Sequence, residues 1–261
     1  MFIVGERING MFRSVARAIR ERDAAAIADL ARRQVEAGAH ALDINTGPTS
    51  DDPAEVMTWL VQTVQEAVDV PLSIDSPRPQ VIAAGLRACR RRAIINSTTG
   101  AREKLDALVP LAAQFDAGLI ALTIDERGIP RNAAARSEIA LAIVARALEE
   151  GLATDRLYLD PIVLPVNAAQ DQCREALEAI GTFRTLCEPA PHVIVGLSNV
   201  SQGAPNRSLL NRTYLVMAMA MGLDAAVMDP LDRDLIEAAR TAGVLLNQEI
   251  YCDGYLQARS A

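Results

Sequence analysis

Lysine and histidine are almost missing from this sequence. The 261 residues include 26 lysines and arginines together, yet Lys104 is the only lysine, and His40 and His192 are the only histidines. Schiff-base chemistry would have to use Lys104, and a metal site built from several histidines is excluded. Aromatic residues make up 3%, so the core must be aliphatic. Positive charge is also in deficit: a net charge of −7 argues against a nucleic-acid-binding surface. The four cysteines, Cys89, Cys173, Cys187 and Cys252, never stand as C-x-x-C, and no secretory leader pattern precedes Met1-Phe-Ile-Val-Gly5. They read as free thiols of a reducing cytoplasm. The apolar runs are too short or too interrupted to span a bilayer, so the chain reads as soluble.

What is present is a regular alternation. Short apolar runs, predicted as strands, cover Phe2–Gly5, Ala39–Asn45, Pro71–Asp75, Arg92–Asn96, Gly118–Thr123, Leu157–Asp160, Val193–Ser198 and Asp224–Asp229. Between them, apolar residues recur at i, i+3, i+4 and i+7, as in Ala24–Ala37, Ala54–Val68, Pro79–Arg90 and Arg136–Glu150. Strands alternating with helices imply a parallel sheet. Eight such units predict a closed (β/α)8 TIM barrel, a fold of ~250 residues. The first turn, Gly5-Glu-Arg-Ile-Asn-Gly10, lacks the G-x-G-x-x-G spacing of a dinucleotide-binding open sheet. No composition break marks a linker, so residues 1–261 are expected to form one domain.

Barrel active sites lie at the C-terminal ends of the strands. Here those ends carry Glu6 and Asn9, Asp43 and Asn45, Asp75, Asn96, Thr123, Asp160, Ser198 and Asn199, and Asp229. One such residue can simply cap the next helix or close a turn. A whole ring of them is not needed for packing, because each buried polar group costs about 1–3 kcal/mol unless hydrogen-bonded. The ring offers carboxylates and carboxamides but no His or Lys and little Arg. It suits a flat heterocycle rich in N–H donors rather than a diphosphate. Asp43, Asp75 and Asp160 could hold Mg²⁺, but Asn96 and Thr123 interrupt them, and no metal is expected.

At this point the residues resemble a family. Gly5-Glu-Arg-Ile-Asn-Gly10, Leu42-Asp-Ile-Asn45, Ser73-Ile-Asp-Ser76, Ile95-Asn-Ser97, Asp160-Pro-Ile-Val-Leu-Pro165 and Gly196-Leu-Ser-Asn-Val-Ser201 are similar to the methyltetrahydrofolate-binding domains. The likeness is strongest to the methyltetrahydrofolate:corrinoid protein methyltransferases. It extends to the folate domain of cobalamin-dependent methionine synthase and to dihydropteroate synthase. The resemblance implies a pterin-binding barrel, usually a homodimer. It would move a methyl group between N5 of 5-methyltetrahydrofolate and the cobalt of a separate corrinoid protein, in either direction. The length leaves no room for a corrinoid (cobalamin) domain, so the cobalt is expected on a partner.

By motif match, Asp75, Asn96 and Asp160 would hold the pterin, and Asn199 would sit near N5. Gly196, Ser198, Gln202 and Arg207 would complete the tetrahydrofolate contacts, with Glu6, Asn9, Asp43 and Asn45 at the pocket rim or behind it. Asn199 cannot act as a general acid; its side-chain oxygen would stabilise a protonated N5, with the proton drawn from solvent. Two rivals stand beside this reading. A dihydropteroate synthase would need a lysine near strand 7, and Val193–Asn206 contains none. A non-catalytic folate-binding subunit would have no evident use for Asn199.

The remaining features read as structural. Arg90-Arg-Arg92 precedes strand 4, at the barrel's far end. Trp59, His40 and His192 are expected in packing. Met217, Met219 and Met221 are expected to fill the core, with a dimer face as the alternative.

Overall fold

The computed structural model describes residues 1–251. Eight parallel strands close a barrel in sequence order: β1 (Phe2–Asn9), β2 (Ala41–Asn45), β3 (Leu72–Asp75), β4 (Ile94–Thr99), β5 (Gly118–Leu122), β6 (Leu157–Asp160), β7 (His192–Gly196) and β8 (Ala225–Met228). Around it lie α1 (Arg13–Glu21), α2 (Ala24–Glu36), α3 (Pro53–Ala67), α4 (Pro79–Ala88), α5 (Arg102–Gln114), α6 (Ala133–Glu149), α7 (Gln170–Phe183), α8 (Arg207–Ala220) and α9 (Arg233–Leu245). All eight predicted strands are present. The expected thiols Cys89, Cys173 and Cys187 are unpaired; Cys252 lies outside the described residues.

The period-2 alternation of each strand divides its side chains between two cores. Leu42, Ile44, Leu72, Ile74, Ile95, Leu119, Leu159, Val193 and Val195 pack outward against the helices. Val4, Ala41, Ile94, Ile120, Ile194 and Ala225 form a second apolar cluster inside the barrel. Two residues further along the strands, the same inward parity carries Glu6, Asp43, Asn96 and Gly196. The apolar plug therefore floors a polar mouth. Helix ends are set by short polar caps: Asp23, Asp52, Asn132 and Asp232 accept from Ala26, Glu55, Ala135 and Leu235 N–H groups.

Several strand ends differ from the sequence reading, most at β1, β4 and β7; β4, expected to end at Asn96, runs on to Thr99 through a register shift against β5. β1 runs on to Asn9 through a bulge between Gly5 and Ile8. The Arg7 N–H bonds Gln34 Oε1 at 3.0 Å, so this backbone donor stays paired at the interruption. A Cβ on Gly5 would sit 2.6 Å from that oxygen, which explains the glycine. β7, expected to reach Ser198, stops at Gly196, and Leu197–Asn199 form a single 3-10 turn. The methionine expectation is corrected as well. Met219 is buried, but Met217 and Met221 are exposed. Residues two apart on a helix face nearly opposite ways, whereas i and i+4 share a face.

Candidate functional site

The mouth of the barrel is a network of carboxylates held by carboxamides and hydroxyls. Asp43, on β2, is buried. Its Oδ1 accepts from Ser73 Oγ at 2.6 Å and from Asn96 Nδ2 at 3.0 Å. Three neighbouring strands, β2, β3 and β4, thus meet on one oxygen. Asp75, at the end of β3, accepts from Asn45 Nδ2 at 2.6 Å, and Asn45 Oδ1 in turn accepts from Gly47 N–H at 2.7 Å. Burial pushes Asp43 up to about 8, and the nearby Asp75 carboxylate adds to the rise. Burial raises Asp75 too, opposed by the Asn45 bond. Asp43 is therefore largely the neutral acid at pH 7.

Across the mouth, Asp160 ends β6. Burial pushes it up to about 6, while N–H groups of Ile162 and Gly196 hold it back. The Ile162 bond is 2.7 Å. Ile162 takes φ of 64°, a conformation rarely adopted by a β-branched residue. Arg136 of α6 anchors the same turn. It is fully buried, donates from Nε to Pro161 O at 2.7 Å and from Nη2 to Gln172 Oε1 at 3.1 Å. A charged side chain in the core thus holds the carbonyl between Asp160 and Ile162.

The β7 end supplies the third part. Ser198 Oγ donates to Glu6 Oε1 at 2.6 Å, and burial raises the Glu6 carboxyl. Asn199 is exposed and folds back over Gly196, where an added Cβ would lie 2.9 Å from Asn199 Nδ2. Arg207 starts α8 and braces the turn, donating to Ser201 Oγ at 3.1 Å and Ser198 O at 3.2 Å. Gln202 is exposed in the same loop, its N–H bonded to Asn199 O at 3.1 Å. Asn9 is spent locally: its Oδ1 accepts from Met11 N–H at 2.9 Å, a turn-closing role.

Asp43, Asp75, Asn96, Asp160, Ser198 and Asn199 thus share one mouth, with Glu6 and Asn45 bonded into it. Sequence reasoning missed three contributors. Ser73 shares the inward parity of Asp75, so the period-2 pattern could have found it as a partner for Asp43. Arg7 pairs with Asp229 at 3.3 Å and lies over the Phe12 ring. Arg136 carries no sequence signal, since an arginine in an amphipathic helix reads as exposed. Among the described residues, no three of His, Cys, Asp and Glu converge as a metal-ion site requires.

Such a floor of hydrogen-bond acceptors is what a pterin's amino and ring N–H groups need. The sequence family described as "pterin binding enzyme" matches residues 5–229. The chain belongs to the pterin-binding enzymes. Within the family, it is 35% identical over 260 residues to the methylcorrinoid:tetrahydrofolate methyltransferase of Eubacterium limosum, covering 99% of this chain and 96% of that protein. It is 28% identical to the methionine synthase of Mycobacterium tuberculosis over 87% of this chain and 20% of that protein. Two solved dihydropteroate synthases share the fold. The one from Clostridium difficile superposes with a TM-score of 0.70 at 17% identity, covering 94% of this chain and 96% of that one. The one from Coxiella burnetii gives 0.69 at 15% identity, covering 95% and 94%. No helix among the described residues of this pterin-binding enzyme is long and apolar enough to cross a membrane.

Proposed function

We propose that this enzyme transfers a methyl group between the cobalt of a separate corrinoid protein and N5 of tetrahydrofolate. The near-full-length likeness to a methylcorrinoid:tetrahydrofolate methyltransferase supports methyl acceptance by tetrahydrofolate as the working direction. The corrinoid supplies the cobalt-bound methyl group. In this direction the N5 lone pair forms the new N–C bond, the cobalt–carbon pair stays with cobalt, and N5 sheds its proton.

The observation that carries this reading is the division of the mouth into two kinds of group. Asp75, Asn96 and Asp160 form a deep acceptor set that binds the pterin ring edge. Asn199 stands apart from it, exposed, on a turn that Arg207 braces. A neutral amide there stabilises the protonated N5 through its oxygen without competing for the proton. Positioning and electrostatics are then the protein's contribution, and an interaction stronger in the transition state than with bound folate raises the rate. Diphosphate displacement is disfavoured, because the stretch Val193–Asn206 after β7 carries no lysine, and Lys104 Nζ is bonded to Pro77 O at 3.3 Å in the loop after β3.

A cytoplasmic homodimer completes the proposal. The exposed apolar residues Leu209, Val216, Met217 and Met221 along α8 and its C-terminal end, with Leu245 on α9, support a subunit contact there. Sedimentation velocity tests it, with a single monomer species as the contrary result. The central test is a spectroscopic methyl-transfer assay with corrinoid proteins, run in both directions. Methyl transfer with tetrahydrofolate is the expected result; tetrahydrofolate binding without transfer would leave a folate-binding subunit in its place.

A further inference from the structure

Beside the mouth lies a second concavity that the methyl-transfer reading does not use. It has a volume of about 650 Å³ and is lined by Gly10, Pro48 and Thr49 with Arg13, Arg17 and Arg20. The arginines stand at i, i+4 and i+7 of α1, on one face. Val15, Ala18 and Ile19 of the same helix are buried, so packing turns all three guanidinium groups outward. No acidic side chain lines the cavity, and none of the three arginines forms an ion pair or side-chain hydrogen bond among the described residues. In a chain of net charge −7, such a cluster makes a local positive patch that attracts anions.

The cavity's floor is continuous with the site. Gly10 directly follows Asn9 of β1, and Pro48 and Thr49 lie in the loop after β2. The two loops touch through glycines: a Cβ on Gly10 would sit 2.1 Å from Thr46 O, and Gly10 N–H bonds Asn45 O at 2.8 Å. The acceptors for the pterin edge lie on β3, β4 and β6, and Asn199 follows β7. In tetrahydrofolate the carbon beside N5 bears the p-aminobenzoylglutamate arm. With N5 placed at Asn199, after β7, the next strands in the closed barrel are β8 and β1, and α1, which follows β1, borders that side of the mouth, open to the arm.

We propose that this cavity is the subsite for the glutamate carboxylates of the folate and that it favours folates carrying a chain of several γ-linked glutamates. The inference rests on the pterin assignment above. Guanidinium groups bind carboxylates through paired, charge-assisted hydrogen bonds, and three of them spaced along one helix suit a chain of carboxylates better than a single one. The contacts lie near the surface, so salt weakens them.

Calorimetric titration of the full chain with tetrahydrofolate bearing one and five glutamates tests this, with tetrahydropteroate, which has none, as the reference ligand. The expected result is a pentaglutamate affinity at least tenfold above the monoglutamate affinity at low salt. That ratio should fall towards one at high salt and in the R13Q/R17Q/R20Q variant. An equal affinity for both tail lengths in the unaltered protein overturns the subsite and leaves the pterin assignment standing. Absence of binding by all three ligands overturns both. A variant that keeps the tail-length ratio but loses methyl transfer with the corrinoid protein makes the patch a protein-docking face, and that also overturns the subsite.

Discussion

Ser198 Oγ lies 2.6 Å from Glu6 Oε1, a bond joining residues 192 positions apart. It ties the turn carrying Asn199 to the first strand and so sets the height of that turn over the mouth. The Glu6 carboxyl is raised by burial, and the Ser198 bond holds the rise in check. Ser198→Ala should therefore raise the Glu6 pKa further. A carbon-13 NMR titration of the labelled carboxyl reads this directly; an unmoved or lowered midpoint contradicts the bond's role.

Asp43 makes stability pH-dependent in an unusual sense for a carboxylate. Its folded value, about 8, lies above the ordinary aspartate value of 3.8. Folding therefore takes up a proton between those values. The stability Asp43 contributes is full below ~4 and is lost as pH rises through 8, at a limiting slope of about 1.4 kcal/mol per pH unit. In Asp43→Asn, Oδ1 can still accept from Ser73 and Asn96, mimicking the neutral acid. Urea denaturation from pH 5 to 8.5 should show that this variant gains stability relative to the unaltered protein as pH rises. Parallel curves for the two proteins would refute a protonated Asp43.

Asp160 should set the pH dependence of pterin binding. Its value in the free protein is about 6, and an acceptor for a pterin N–H is best when ionised. Tetrahydrofolate affinity should rise as pH increases through 6 and level off above it. In Asp160→Asn the affinity should be lower and the inflection near 6 absent. Fluorescence or calorimetric titration across pH 5 to 8 decides this, and an inflection retained in the variant assigns it to another group.

Asn199 and Gly196 should act as a unit. Asn199→Ala should slow methyl transfer by roughly 100-fold or more, the scale of losing one transition-state polar contact, while weakening folate binding far less. Equal losses in rate and binding would remove its role at N5. Gly196 has an ordinary φ of −76°, so alanine is conformationally allowed there. Its methyl would, however, displace the Asn199 amide, 2.9 Å away. Gly196→Ala should slow transfer in the unaltered protein but add little in the Asn199→Ala background. Single-turnover rates for the four proteins complete the cycle, and additive effects would show that Gly196 acts independently.

Arg136 should matter to both folding and binding. Removing it as Arg136→Ala strips Pro161 O and Gln172 Oε1 of their donor and opens a cavity in the core. A loss of roughly 2–4 kcal/mol is expected. Because Pro161 O belongs to the strained turn at Ile162, tetrahydrofolate affinity should fall as well. Chemical denaturation and calorimetry on the folded fraction measure the two separately. A destabilised variant with unaltered affinity would confine Arg136 to the core.

Sequence alone determined the alternation of eight strands with helices and the strand ends where polar residues break the apolar pattern. Those properties are local: a period of 2 or 3.6 and a change of polarity are visible within ten residues. Asp75, Asn96, Asp160 and Asn199 were legible as mouth residues for that reason, and the closed barrel followed from counting units. Tertiary structure decided what the groups do to one another. The Asn96–Asp43 bond spans 53 positions, and the Asp43–Asp75 carboxylate pair exists only when β2 and β3 lie side by side. Their raised pKa values come from burial, which no single segment encodes. The extension of β1 through its bulge depends on Gln34 from the next helix, and the turn at Asp160 depends on an arginine buried from α6. Local periodicity names an element and the face it presents; the protonation state and precise placement of a side chain depend on neighbours distant in the chain.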